Sequence, residues 1–303
     1  MPSWGDILNE YKKTPNPLDV LRRKYLKTME EYTGRNVIAY YSAFLQKPRL
    51  DGTGIDDTDK SAFMQTICGI DKSKGLDLIL HTPGGQIAAA ESIVYYLKGI
   101  FGNDIRVFVP QIAMSAGTMI ALSAKEIIMG KHSNLGPIDP QFGGLSCAGI
   151  IEEFEEAVKD VTENPNKAAL WGPIISKYHP TFIGDCKKAI EWSETTVKKW
   201  LKENMFSDSE DPERAAKVVI DQLSSHNKTF SHQKHIHIDE LVSLGLKITP
   251  LESFEHHEIN GCKDLQDCVL SIHHTYMHTL ANSNTIKIIE NQNGQAMITG
   301  KGE

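Results

Sequence analysis

The chain has 303 residues, a net charge of −7 and 40% apolar residues, enough for a full α/β core with additions. An acidic balance without a long Lys/Arg run excludes a nucleic-acid footprint, and five scattered cysteines (Cys68, Cys147, Cys186, Cys262, Cys268) fit reduced thiols rather than a disulfide framework. The first residues lack a secretory leader pattern, and Arg106, Pro110, Gln111 and Ser115 to Thr118 interrupt the most apolar window, so a cytoplasmic chain without a membrane span is expected.

In chain order, Thr14 to Thr33 reads as an amphipathic helix outside the central sheet, with Leu18, Leu21, Tyr25 and Met29 at helical spacing after an Asn16-Pro17 start signal. Asn36 to Gln46 is β-rich and predicts the first core strand. A polar Asp/Gly-rich loop, Lys47 to Lys60, precedes a helix over Ser61 to Ile70. Leu76 to His81 predicts a strand, Gln86 to Gly99 a helix with Ile87, Ala90, Val94 and Leu97 on one face, and Ile105 to Pro110 the next strand. This alternation implies a parallel sheet with helices on its faces and a ligand site at the strands' carboxyl ends.

Beyond the Gly-rich loop Leu135 to Gly144 the pattern becomes mainly helical. Ile150 to Val161, Phe182 to Phe206 and Pro212 to Leu223 carry most of the charge, and the acidic run Glu152 to Glu156 reads as a solvated face. His235 to Ile248 is a short connecting segment, Leu265 to Ala281 predicts a helix, and IKIIENQNGQAMI closes the chain.

The most informative pattern is LILHTPGG, Leu78 to Gly85, followed some thirty residues later by AMSAGT around Ser115. A strand ending in Pro-Gly-Gly frees backbone N–H groups at Gly84 and Gly85, and a serine that opens a helix sits where developing negative charge is favoured. Together they supply an oxyanion hole and a nucleophile for acyl chemistry. Each half also has a plain structural reading. Ser115 fits an N-cap, and the glycines fit an ordinary turn.

LDLILHTPGG, AMSAGTMIALSAKEIIMGKHSNLGPIDPQ, FSHQKHIHIDELVSLGLKI, YMHTLANSNTIKIIEN and TGRNVIAYYSAFLQ together resemble the serine dehydrogenase proteinase family. This is a branch of the Clp/crotonase superfamily, related to Clp protease proteolytic subunits and signal peptide peptidase A. The resemblance implies an α/β fold, a Clp/crotonase-like spiral of ββα units with a largely helical C-terminal half. It divides the chain into an N-terminal helical extension (1–34), a serine protease domain (35–295, helical insertion about 150–225) and a tail (296–303).

Matched residue by residue, the resemblance implies Ser115 as nucleophile, Gly84 or Gly85 with Ala116 as oxyanion donors, and a triad ordered Ser115, Asp139, His232. The Clp subunits place a histidine about twenty-five residues after the serine; here that window reads GPIDPQ, without one. His235 and His132 compete as base, as do Lys131, Lys125 and Lys159, and Asp139 also fits an Asx turn. His81 and Gln86 are expected to shape the substrate site.

No cofactor is implied. His256-His257, His273-His274, Cys262 and Cys268 lack a zinc spacing, so no metal is expected. The implied partners are peptide or unfolded protein substrate, further copies of the chain in a homo-oligomer, and a separate ATPase or adaptor, since no GxxxxGK[ST] motif is present. The alternative is a non-proteolytic member of the fold, an acyl-CoA enzyme or a catalytically silent scaffold.

Overall fold

A computed structural model describes residues 3–15, 17–224 and 231–300. Its main sheet has strands β1 (Asn36–Ser42), β2 (Leu76–His81), β3 (Ile105–Val109), β5 (Glu126–Met129), β9 (Ile248–Pro250), β10 (Thr285–Asn291) and β11 (Ala296–Gly300). The order is β11-β10-β1-β2-β3-β5-β9. The β1-β2-β3-β5-β9 run is parallel, and β10 and β11 add to it antiparallel. Two short pairs stand apart: β4 (Ile112–Ala113) with β6 (Asn134–Leu135), and β7 (Gln141–Phe142) with β8 (Leu145–Ser146).

The helices are α1 (Trp4–Lys13), α2 (Pro17–Thr33), α3 (Asp57–Ile67), α4 (Ile87–Phe101), α5 (Ala116–Leu122), α6 (Cys147–Glu163), α7 (Ala168–Ile175), α8 (Phe182–Glu203), α9 (Pro212–Leu223), α10 (Ile238–Ser243) and α11 (Leu265–Ala281). Every β1 residue is buried, as a strand covered on both faces requires. Successive side chains therefore enter different cores. Ile38 and Tyr40 pack with residues of α3, α4, α5, α8 and α9. Val37, Ala39 and Tyr41 pack with residues of α1, α2 and α11. A third, small cluster around Cys147, Ile150 and Cys186 joins α6 to α8.

The predicted strand over 76–81 and the helices over 212–223 and 265–281 form at those residues. Others shift. β1 ends at Ser42, whose hydroxyl donates to the Thr53 carbonyl (2.6 Å), and Lys47 N–H closes a turn on Ala43 O (2.7 Å). Helix α3 begins four residues early because Asp56 and Asp59 make a capping box. Helix α1, not anticipated, starts at a Ser3/Asp6 capping box, and α7 was not anticipated either. The expected N-terminal extension lies against the sheet through Tyr25, Leu26 and Met29. Residues 296–300 of the expected tail are an edge strand, because the turn at 292–295 folds them back on β10. Asn16 of the start signal and residues 301–303 lie outside the described residues. No helix among the described residues is long and apolar enough to cross a membrane.

Candidate active site

Strand β4 runs into α5 through Ser115, which has φ 52° and ψ −119°. A non-glycine residue in this half of conformational space costs on the order of 1–3 kcal/mol and persists only when its surroundings enforce it. They do so here. Gly117 N–H bonds Met114 O (2.8 Å), Met119 N–H bonds Ser115 O (3.0 Å), and Thr118 Oγ1 donates to Ala113 O (2.8 Å). The Ser115 side chain makes no capping hydrogen bond, so the N-cap alternative does not describe what its hydroxyl does.

The Pro-Gly-Gly loop is laid directly against this turn. Thr82 N–H bonds Ile112 O, and Met114 N–H bonds Thr82 O, both at 3.1 Å. Gly84 has φ 94°, and a Cβ there would lie 2.6 Å from Met114 O and 2.7 Å from Ser115 Cβ, so no larger residue fits. On the loop's other side, Ile55 N–H donates to Gly84 O (2.7 Å), and Gln86 N–H donates to Ile55 O (2.9 Å). Gly84 N–H is taken by Thr82 Oγ1 (3.2 Å). The N–H groups of Gly85 and Ala116 bond to no acceptor among the described residues.

Asp139 reaches the site on the loop after β6. That loop is anchored on three elements: Gly136 N–H donates to Thr118 Oγ1 of α5 (2.9 Å), Ile138 N–H to Leu223 O of α9 (2.9 Å), and Ser193 Oγ of α8 to Ile138 O (3.0 Å). His232 is held by the next segment, where Ile236 and Leu135 exchange backbone hydrogen bonds at 2.9 and 3.1 Å. Asp139 Oδ1 and His232 Nδ1 are 2.7 Å apart, with the carboxylate almost wholly buried. A carboxylate at Nδ1 fixes the proton on that nitrogen and leaves Nε2 as the acceptor.

Ser115, Asp139, His232, Gly85 and Gln86 line one cleft of about 1100 Å³. Gly84 and the buried Ala116 adjoin Ser115 in the wall behind. His81 departs from expectation. It is fully buried, packs against the rings of Tyr41, Phe44 and His273 at 5.5, 4.9 and 5.2 Å, and is not among the residues lining the cleft. As the last residue of β2 it points into the second core, where desolvation pushes its pKa down to about 3. The competing bases His132, His235, Lys125, Lys131 and Lys159 do not line the cleft, and Lys125 pairs with Asp104 at the strands' opposite ends.

Sequence reasoning missed the wall formed by Ile55, Met119, Ile138 and Trp192, and also Lys188 at the rim. Gly54 followed by the Asp56/Asp59 capping box was the available sign that the 47–60 loop is built rather than slack. Among the described residues no group of His, Cys, Asp and Glu is arranged to hold a metal ion.

A profile of ClpP-like SDH-type serine proteinases matches residues 11–260 of this chain, a span that holds the Gly84-Gly85 loop, Ser115, Asp139 and His232. The chain belongs to the ClpP-like SDH-type serine proteinase family. Two uncharacterized proteins of Methanocaldococcus jannaschii are similar to it. One is 30% identical over 232 residues, covering 75% of this chain and 71% of its own length. The other is 41% identical over 106 residues, 35% of this chain and 37% of its own. The family match stops before α11, β10 and β11, although β10 and β11 complete the main sheet and α11 packs against it.

Proposed function

We propose that the protein is a serine peptidase acting through an acyl-enzyme on Ser115. The observation that carries this reading is the buried Asp139 bonded to His232 Nδ1 at 2.7 Å in the cleft that also contains the strained Ser115. His232 Nε2 takes the Ser115 proton as Oγ attacks the scissile carbonyl, and Asp139 orients and stabilises the imidazolium. The tetrahedral oxyanion is received by the N–H groups of Gly85 and Ala116, whose donors are free, rather than by Gly84, whose donor is occupied. The imidazolium then protonates the leaving amine, and a water activated by the same Nε2 hydrolyses the ester.

Peptide or unfolded segments fit a cleft of about 1100 Å³ with an apolar wall. The reading includes assembly of copies, supported by α7, whose sequence AALWGPII is apolar while none of its residues is buried. A non-proteolytic acyl-CoA enzyme would leave the Asp139–His232 pair without work. The deciding experiment is fluorophosphonate labelling read by intact mass, with Ser115→Ala as control. One adduct on the wild type, absent from the variant, is expected; an unlabelled, folded wild type would count against the peptidase.

A further inference from the structure

We infer that Lys287 of β10 is a positioning residue for the Gly85 amide, a role that rests on the peptidase reading above. Lys287 stands opposite Ser42 in the β10-β1 register, at the site end of the sheet, and its side chain is 2% exposed. An ammonium has three donors, and all three are spent on one short segment. Lys287 Nζ bonds Gly54 O at 3.1 Å, Asp56 Oδ2 at 2.8 Å and Asp59 Oδ1 at 2.7 Å. The other Asp59 oxygen accepts from Tyr40 OH (2.9 Å) and from the Asp56 N–H (3.0 Å). Ser42 Oγ holds Thr53 O at 2.6 Å.

The segment so clamped is the one that holds the glycine loop. Ile55 pairs with Gly85 as a single-residue parallel bridge, taking Gly84 O and Gln86 N–H and leaving the Gly85 N–H turned away from the pairing. A Cβ on Gly85 would lie 2.3 Å from Ile55 N and O, so the two backbones are in direct contact and a shift of one displaces the other. The path is therefore Lys287, the carboxylates of Asp56 and Asp59, Ile55, then Gly85. Its far end is an oxyanion donor, where small displacements matter most. A charge cluster that only added stability would not select these partners. This one fixes both ends of Gly54–Asp56, which lies in no helix or strand.

Lys287→Met alone would leave two carboxylates uncompensated, one of them buried, and risks unfolding the chain. The test therefore uses Lys287→Met with Asp59→Asn, which balances the buried charge and keeps an acceptor for Tyr40. The readouts are amide hydrogen exchange of residues 84–88, peptide hydrolysis and the rate of Ser115 phosphonylation. Exchange at Gln86, whose N–H bonds Ile55, should rise clearly above wild type. The kcat and the phosphonylation rate should fall roughly 10- to 100-fold, with KM within about twofold, as expected when a transition-state donor is misplaced. Ser42→Ala, which loosens the same segment by one hydrogen bond, should move all three readouts less and in the same direction.

Unchanged exchange over 84–88 in a cooperatively folded variant overturns the inference whether or not the protein is active. Raised exchange with wild-type kcat overturns it too. An unreactive wild type would instead overturn the peptidase reading, and the exchange comparison would still decide what Lys287 holds.

Discussion

At φ 52° Ser115 carries a conformational load that is separable from its hydroxyl. Ser115→Ala removes the hydroxyl of the proposed nucleophile and keeps the strain, whereas Ser115→Gly removes both. Both variants should lose hydrolysis and labelling. The glycine variant should melt at or above the alanine variant, by up to about 1 kcal/mol, because relief of positive φ outweighs the entropy glycine adds to the unfolded chain. A glycine variant that melts well below the alanine one would mean that the turn is not strained. His232→Ala should lower kcat by at least roughly 100-fold, the scale of general-base loss, and near-wild-type turnover would move the base elsewhere. Ser115 and the glycines were legible in the sequence because each needs a particular residue type at a particular place in a strand-turn-helix. The choice of Gly85 over Gly84 as the proposed donor was not. It depends on Thr82 Oγ1 occupying one N–H, which is a matter of side-chain rotamer and not of spacing.

Among the elements, α5 does more than present Ser115. Its Thr118 hydroxyl donates to Ala113 O and accepts from Gly136 N–H, tying the Ser115 turn to the Asp139 loop within one side chain. Thr118→Val keeps the shape and strands both buried backbone groups, so a loss of about 2–4 kcal/mol in denaturant stability is expected, together with lower kcat. Stability unchanged by Thr118→Val would mean that the two elements are held by packing alone. The helices over 212–223 and 265–281 and the strand over 76–81 could be read from periodicity because each is bounded by its own local signals. Helix α1 and the loop around Ile55 carry local capping boxes in the sequence, but what holds them and the β10-β11 hairpin in place is distant. Tyr11 OH bonds Thr275 O at 3.1 Å, β10 pairs with β1, and Ile55 meets Gly85.

Across the whole molecule, the core beneath the site concentrates neutral histidines. His81 and His273 are both buried, their rings 5.2 Å apart and edge-on, and desolvation holds His81 down at about 3 and His273 well below the ordinary histidine value of 6.5. In the unfolded chain both take up protons as pH falls through about 6.5, while in the folded chain they do not. The unfolded state therefore binds more protons below that point, so the stability these two groups contribute is fully present above about pH 6.5 and is lost as pH falls toward their folded values. Between pH 7.5 and 5.5 each histidine should cost about 1.4 kcal/mol, and the depressed carboxylates add little there because they titrate lower. Urea midpoints across this range are expected to fall accordingly, and His81→Leu, which keeps the core apolar and removes one titrating group, should flatten the slope without abolishing it, because His273 and the likewise depressed His274 and His278 still take up protons on unfolding. A slope that His81→Leu leaves unchanged would place the proton uptake elsewhere.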